Sequence, residues 1–363
     1  MKVVFILKAI EHQRCLKRIT AFLDQGYDVH VYGFNRRCGA QQDYNFELRS
    51  LGEISNNASY LNRIMQYLKA KKIVRKYKDS HDTLFYLFGL DLALPLITIA
   101  KAKPYIYEES DLIHTKFKSR LFIRLFEFID KWVIKKSKIS VFTSEGFSEY
   151  HFPNEVKPSN ICILPNKVNT KCLELNTISK KFDVNNLTVG FVGTFRYESI
   201  FNFLYVTATE FPHIQIKLFG KNVGWTEEKL LSLLQFPNVS NEGPFKNPQD
   251  LPQVYSKIDL VLSTYDIECD NPRYAEPNKV YEAMFFETPI IVSTDTYLAN
   301  KVERLNIGYH LNAMSKTEIL SFWNHFDVED YNEKVASCRK IKKTDCVDNE
   351  KELFEKIEII TKQ

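Results

Sequence analysis

The chain has 363 residues, 44% hydrophobic, 26% charged and 13% aromatic, with a formal net charge of +4. That is length for two domains with cores of their own, too much apolar content for disorder, and too even a charge balance for a strongly basic nucleic-acid binder. The balance conceals a division, because residues 1–165 carry 26 Lys+Arg against 17 Asp+Glu (+9) and residues 166–363 carry 23 against 28 (−5).

The opening run MKVVFILK holds five consecutive apolar residues, too few for a signal peptide and suited to a buried first strand. Alternating patterns follow. Strands are predicted at 3–7, 28–34, 83–88, 105–108 and 139–143, and helices at 12–25, 60–78, 91–102, 117–136 and 144–151. Short continuous apolar runs separated by helices predict a parallel sheet buried on both faces. The longest apolar stretch, 84–100, is interrupted by Asp91 and Pro95 and falls short of the roughly 20 residues of a membrane span. The first domain is therefore drawn as 1–165. The polar, weakly patterned segment 166–186 reads as a linker.

A second alternating series fills 187–346, with strands at 187–193, 214–220, 238–241, 258–264 and 289–294 and helices near 198–210, 226–234, 249–256, 277–286 and 296–305. The end of the chain, 347–363, has the helical spacing Leu353, Ile357, Ile360 and is expected to pack back on the first domain. Two doubly wound Rossmann-like domains place their strand carboxyl ends toward ligand, so the site is expected in the cleft between them. The cysteines (Cys15, Cys38, Cys162, Cys172, Cys269, Cys338 and Cys346) are odd in number, scattered and without a CxxC pair. They predict reduced thiols in a cytoplasmic protein. No His/Asp cluster has metal-ligand spacing, so no metal is expected.

The most informative segment is AEPNKVYEAMFFETPIIVST, 275–294. Pro277 suits the first turn of a helix, and Lys279 and Glu282, three apart, share a face near its N-terminus. A helix N-terminus and a lysine there suit a diphosphate, and a carboxylate one turn on can accept both ribose hydroxyls. In this segment the chain resembles the GT-B glycosyltransferases, whose donor site carries a similar P-N-K-x-x-E run. VGFVGTFR (189–196), NEGPFKNPQDLPQVYSKIDLVLST (241–264), HQRCLKRITAFLDQGYDVHVYGFNR (12–36) and YIYEESDLI (105–113) also resemble that group. The resemblance spans roughly 1–310. It implies a GT-B fold and transfer of a sugar from a UDP- or GDP-linked donor to a cell-surface glycan or lipid-linked acceptor, with no other cofactor. Rival readings are a GT-B-type nucleotide-sugar epimerase and a non-catalytic sugar-nucleotide-binding subunit. The sequence departs from the group's pattern at Tyr274, where a second glutamate is common, at Glu287, where a glycine is common, and in the loop KAIEHQR, which has no glycine.

On this reading Glu282 binds ribose, Lys279 and Arg196 bind diphosphate, Asn278 opens the same helix, Gly193 lets backbone approach the ligand or simply permits a turn, and Gly220 lines the base pocket. Asp111, just past strand 105–108, is the candidate general base, with Glu108 and Glu109 as competitors. Its plain alternative is helix capping. His114 and Arg14 are lesser candidates, and Ser144 reads as an N-cap. Two basic segments remain. Residues 116–138 hold eight Lys/Arg interleaved with Phe117, Leu121, Phe122, Leu125, Phe128 and Trp132, and 63–78 holds seven basic residues and no acid. Together they could lie on the inner face of an anionic membrane; alternatively the aromatics of 116–138 pack on the sheet and leave a solvated basic face. No recognition motif for nucleic acid accompanies them.

Overall fold

The structure is a computed structural model. It describes the chain except residues 37–43, 56–57, 81, 177, 179–181, 184–185 and 363, and gives only the backbone at 60 and 61. Cys38, parts of the linker 166–186, and Gln363 of the final helix thus lie outside the described residues. The chain forms two units, Met1–Leu164 with Asn349–Gln363, and Pro165–Asp348.

The first unit is β1 (Lys2–Leu7), α1 (Gln13–Asp24), β2 (Asp28–Asn35), β3 (Leu48–Glu53), α2 (Tyr60–Tyr67), α3 (Lys71–Lys76), β4 (Thr83–Phe88), α4 (Leu90–Thr98), β5 (Tyr105–Glu109), α5 (Arg120–Lys136), β6 (Ile139–Phe142), α6 (Glu145–His151) and β7 (Ile161–Ile163). Its seven strands are parallel in the order β3-β2-β1-β4-β5-β6-β7. β1 and β4 are central and buried almost throughout, as continuous apolar runs require. The edge strand β3 is half exposed along its length. It has no apolar run, which is why the pattern missed it. The helix predicted over 60–78 is two helices joined by a 3-10 turn, Leu68–Ala70, which lets Tyr67, Ala70 and Val74 all reach the core.

The second unit is β8 (Thr188–Phe195), α7 (Glu198–Glu210), β9 (Gln215–Asn222), α8 (Glu227–Leu234), β10 (Val239–Gly243), α9 (Leu251–Tyr255), β11 (Leu260–Ser263), α10 (Asp270–Tyr274), α11 (Asn278–Phe285), β12 (Ile290–Ser293), α12 (Tyr297–Leu305), β13 (Gly308–Leu311), α13 (Lys316–Asn324), α14 (Val328–Lys340) and α15 (Lys343–Cys346). The sheet order is β10-β9-β8-β11-β12-β13, all parallel. Side-chain caps start its helices at Thr226, Thr296, Ser315 and Asp327. Within the expected linker, Val168 and Cys172 are buried in this unit's core.

The last helix, α16 (Lys351–Thr361), belongs to the first unit, with Leu353 and Ile357 fully buried among Val3, Phe5 and Val141. Just before it, Glu350 accepts from Nη1 of the buried Arg18 at 2.8 Å. Nε of Arg18 donates to Glu108 at 3.2 Å and Nη2 to the Leu164 carbonyl at 3.1 Å, so one guanidinium ties α1, β5, the end of the β7 segment and the chain terminus together.

Candidate active site

In an open parallel sheet, ligand sits beyond the strand carboxyl ends where the strand order reverses. In the second unit that point lies between β8 and β11. Gly193 and Gly220 are register partners on β8 and β9 there. Both have positive φ (156° and 141°), and a Cβ on Gly220 would stand 1.7 Å from the Gly193 carbonyl oxygen. Close strand approach by itself requires glycine at 220. A Cβ on Gly193 would meet Phe191 at 3.5 Å and Cε of Lys279 at 4.0 Å. The end of β8 therefore lies beside the first turn of α11.

α11 starts at Asn278 after Pro277, and no side chain caps its first amides. Asn278 Nδ2 donates to Oε1 of Glu282 at 2.8 Å, Lys279 Nζ reaches both carboxylate oxygens at 3.0 and 2.9 Å, and the Tyr255 hydroxyl donates to Oε2 at 2.7 Å. Glu282 is 1% exposed. Its carboxylate thus orders the two side chains that open the helix. A ribose reaching it must displace one of them. Glu276, one turn before, is buried against Lys301 and the Tyr281 hydroxyl, a packing partnership away from the motif's face. Arg196 is exposed one residue beyond β8, its guanidinium 4.6 Å over the Tyr197 ring. Beside it, Asp266 accepts from the amides of Glu198 and Ser199 at 3.0 and 2.8 Å. That carboxylate fills the N-terminus of α7, whereas the N-terminus of α11 carries no side-chain cap.

In the first unit the reversal lies between β1 and β4. A pocket of about 80 Å³ opens there, lined among others by Lys8, Ala9, His12, Arg14, Ser110 and Asp111. Asp111 is exposed, and the fold brings it together with Arg14 from the far end of the sequence. His12 also stands here. Its imidazole is held below the ordinary histidine value, first by the protein packed around it and then by the Arg14 cation, while the Asp111 charge pulls the other way. The neutral ring this favours is a base in its own right. The sequence reading passed over His12; its only signal was its place between a first strand and the following helix.

Glu109, expected as a competitor to Asp111, is corrected. It is 1% exposed, and its Oε2 is 2.8 Å from Nε2 of the fully buried His151. Burial lifts its carboxyl to about 8. β5 is buried on both faces, so alternation turns Glu108 and Glu109 to opposite sides and packs both. Glu108, on the other face, is held by Arg18 and the Tyr86 hydroxyl. Asp111 is therefore the exposed one of the three carboxyls. His114 is likewise interior, lowered to about 4 by burial and the nearby His151. Ser144 caps α6 through the Gly146 amide at 3.1 Å.

No family model matches the sequence, and no curated protein does. Solved structures match over the whole chain. Sucrose-phosphate synthase from Thermosynechococcus elongatus is 14% identical with a TM-score of 0.68, covering 100% of this chain and 98% of its own. Anabaena HepE, solved with UDP and glucose, is 13% identical with a TM-score of 0.67 and covers both chains completely. WaaG, described as a glycosyltransferase involved in lipopolysaccharide biosynthesis, is 14% identical with a TM-score of 0.63 over 93% of each chain. The chain has the GT-B fold.

The basic segments differ from each other in structure. Along 63–78, Tyr67, Ala70, Val74 and Tyr77 are buried, so its apolar side packs inward. On α5 the opposite holds. Leu121 (75% exposed), Phe122, Leu125, Phe128 (72%) and Trp132 face outward, and the helix buries only Asp130, Val133 and Ile134. Among the described residues no helix is long and apolar enough to cross a membrane.

Proposed function

We propose that this chain is a glycosyltransferase that moves a sugar from a UDP- or GDP-linked donor to a glycan or lipid-linked acceptor. The observation that carries the reading is the junction of Gly193, Lys279 and the uncapped start of α11 at the strand reversal of the second unit. A cation, free amides and absent side chains at one point suit a diphosphate. On donor binding, Lys279 leaves Glu282 for the diphosphate, and the carboxylate takes the ribose hydroxyls in its place. Arg196 adds charge, and together these groups stabilise the departing nucleoside diphosphate without a bridging metal. UDP is the favoured nucleotide because HepE is described in complex with it. The acceptor occupies the first unit's pocket, with Asp111, or the neighbouring His12, taking the proton of its hydroxyl.

The acceptor's setting is the cytoplasmic face of an anionic membrane. The exposed apolar side of α5, flanked by Arg120, Arg124, Lys131, Lys135 and Lys136, is the shape of an interfacial helix.

The test is a thermal-shift screen against UDP- and GDP-sugars, followed by incubation of each stabilising donor alone and with acceptor lipid extract. A ligand at 100 times its Kd adds about 2.7 kcal/mol to apparent stability. Transfer that requires acceptor supports the proposal. Conversion of donor alone makes the chain an epimerase, binding without turnover makes it a binding subunit, and no shift with any sugar nucleotide removes the reading.

A further inference from the structure

The first unit encloses a set of side chains for which the proposed transfer has no use. One ligand atom from each of Glu109 at the end of β5, His114 in the turn Ile113–Lys116 and Asp130 on α5 lies within 4.8 Å of the others. All three residues are at most 2% exposed. Nδ1 of His114 and Oδ2 of Asp130 are 3.5 Å apart, close to the roughly 3.4 Å edge of a tetrahedron whose ligands stand about 2.0–2.2 Å from a zinc ion.

The partners of the remaining atoms are more telling. Glu109 keeps Oε2 on His151, Asp130 receives the Tyr107 hydroxyl on Oδ1 at 2.8 Å, and His114 has Nε2 3.3 Å from the Tyr150 hydroxyl. In each residue the other polar atom, Oε1, Oδ2 and Nδ1, is buried and faces only the other two members of the trio, with no donor from outside it. Buried polar atoms are paired in the great majority of cases. Here three acceptors from three elements, with no outside donor, share one small volume, and each side chain is held from behind. Outer partners that fix a ligand's orientation are the usual surroundings of a bound metal.

We infer that Glu109, His114 and Asp130 bind one divalent transition-metal ion, zinc by its donor set, as a structural site that fixes α5 and the His114 turn to the end of β5. Two carboxylates and a neutral imidazole make a dianionic set, which a divalent ion neutralises. Nitrogen among the donors disfavours magnesium and calcium. Seclusion from solvent suits a structural rather than a catalytic ion. The alternative occupant is a proton shared by Glu109 and Asp130.

The experiment uses the full chain purified without chelator, dialysed against metal-free buffer and analysed by inductively coupled plasma mass spectrometry. About one equivalent of metal per chain is expected, with a melting temperature that falls by several degrees in EDTA and recovers with added ZnCl₂. Asp130→Asn, near-isosteric and still able to hydrogen-bond to Tyr107, should lose the metal and the chelator response. Should that variant fail to fold, replacement of the metal in the wild-type chain by Co²⁺ gives the same answer through its visible d–d absorption. A wild-type chain that retains no metal, shows no cobalt spectrum and melts at one temperature in EDTA and in zinc overturns the inference and assigns the trio to a shared proton.

Discussion

Two demands meet at Glu282. Its carboxylate holds Asn278, Lys279 and Tyr255 in the free chain, and the proposal asks it to take ribose hydroxyls when donor arrives. Removing it is expected to weaken donor binding about 10–100-fold, the worth of charge-assisted hydrogen bonds of about 1.5–3 kcal/mol. Isothermal titration of Glu282→Ala with the best donor checks this, and unchanged affinity would be fatal to the assignment. Lys279→Met should lose affinity for nucleoside diphosphate more than for nucleoside monophosphate, since it acts on the bridging charge. Equal losses would move the lysine from the diphosphate to a purely packing role. Gly220→Ala is predicted to destabilise the second unit by at least about 2 kcal/mol, because the methyl both opposes a positive φ and strikes the Gly193 carbonyl. Denaturant melts report it, and a neutral result would mean that the β8–β9 approach relaxes freely.

At the scale of elements, α5 is the one whose sequence and surroundings diverge. Its periodicity would suit a core helix, yet Leu121, Phe122, Leu125 and Phe128 are exposed. Exposed apolar side chains beside a row of cations gain energy at an anionic lipid surface, at about 1 kcal/mol per basic residue near it. Replacing Lys116, Lys118, Arg120 and Arg124 by glutamine should therefore abolish sedimentation with phosphatidylserine vesicles. Phe128→Ser should weaken it even at low salt, where electrostatics are strongest. Failure of the intact chain to sediment with such vesicles would exclude the membrane role. The segment 63–78 should contribute little, because its apolar side is spent on the core.

At the scale of the whole molecule, the chain's end completes its beginning. Deleting 349–363 removes Leu353 and Ile357 from a closed core and strips Glu350 from Arg18. Arg18 keeps Glu108 as a partner, so the loss falls mainly on the apolar contacts of the helix. Hydrogen exchange followed by mass spectrometry should show β1, β4 and β6 losing protection in the truncated chain while β8, β9 and β11 keep theirs. Equal protection in both units would show that α16 is dispensable.

The sequence by itself determined the two alternating series, most strand positions and the donor motif, because continuous apolar runs and 3.6-residue spacing are local properties. Pro277, Lys279 and Glu282 were legible together since Lys279 and Glu282 are one turn apart and Pro277 immediately precedes their helix. It did not determine the weak edge β3, the four-residue β13 or the helices α13 to α15, whose signals are short or half polar. Only the tertiary structure decided which carboxyl of 108, 109 and 111 meets solvent, since both faces of β5 are covered and Asp111 lies beyond the strand's end. It alone brought His12 and Arg14 beside Asp111, and gathered Glu109, His114 and Asp130 from three elements whose spacing resembles no metal motif. The same holds for charge. The +9 of the first 165 residues is visible in composition, but burial decided that on α5 it borders an open apolar face and on 63–78 it covers a closed one.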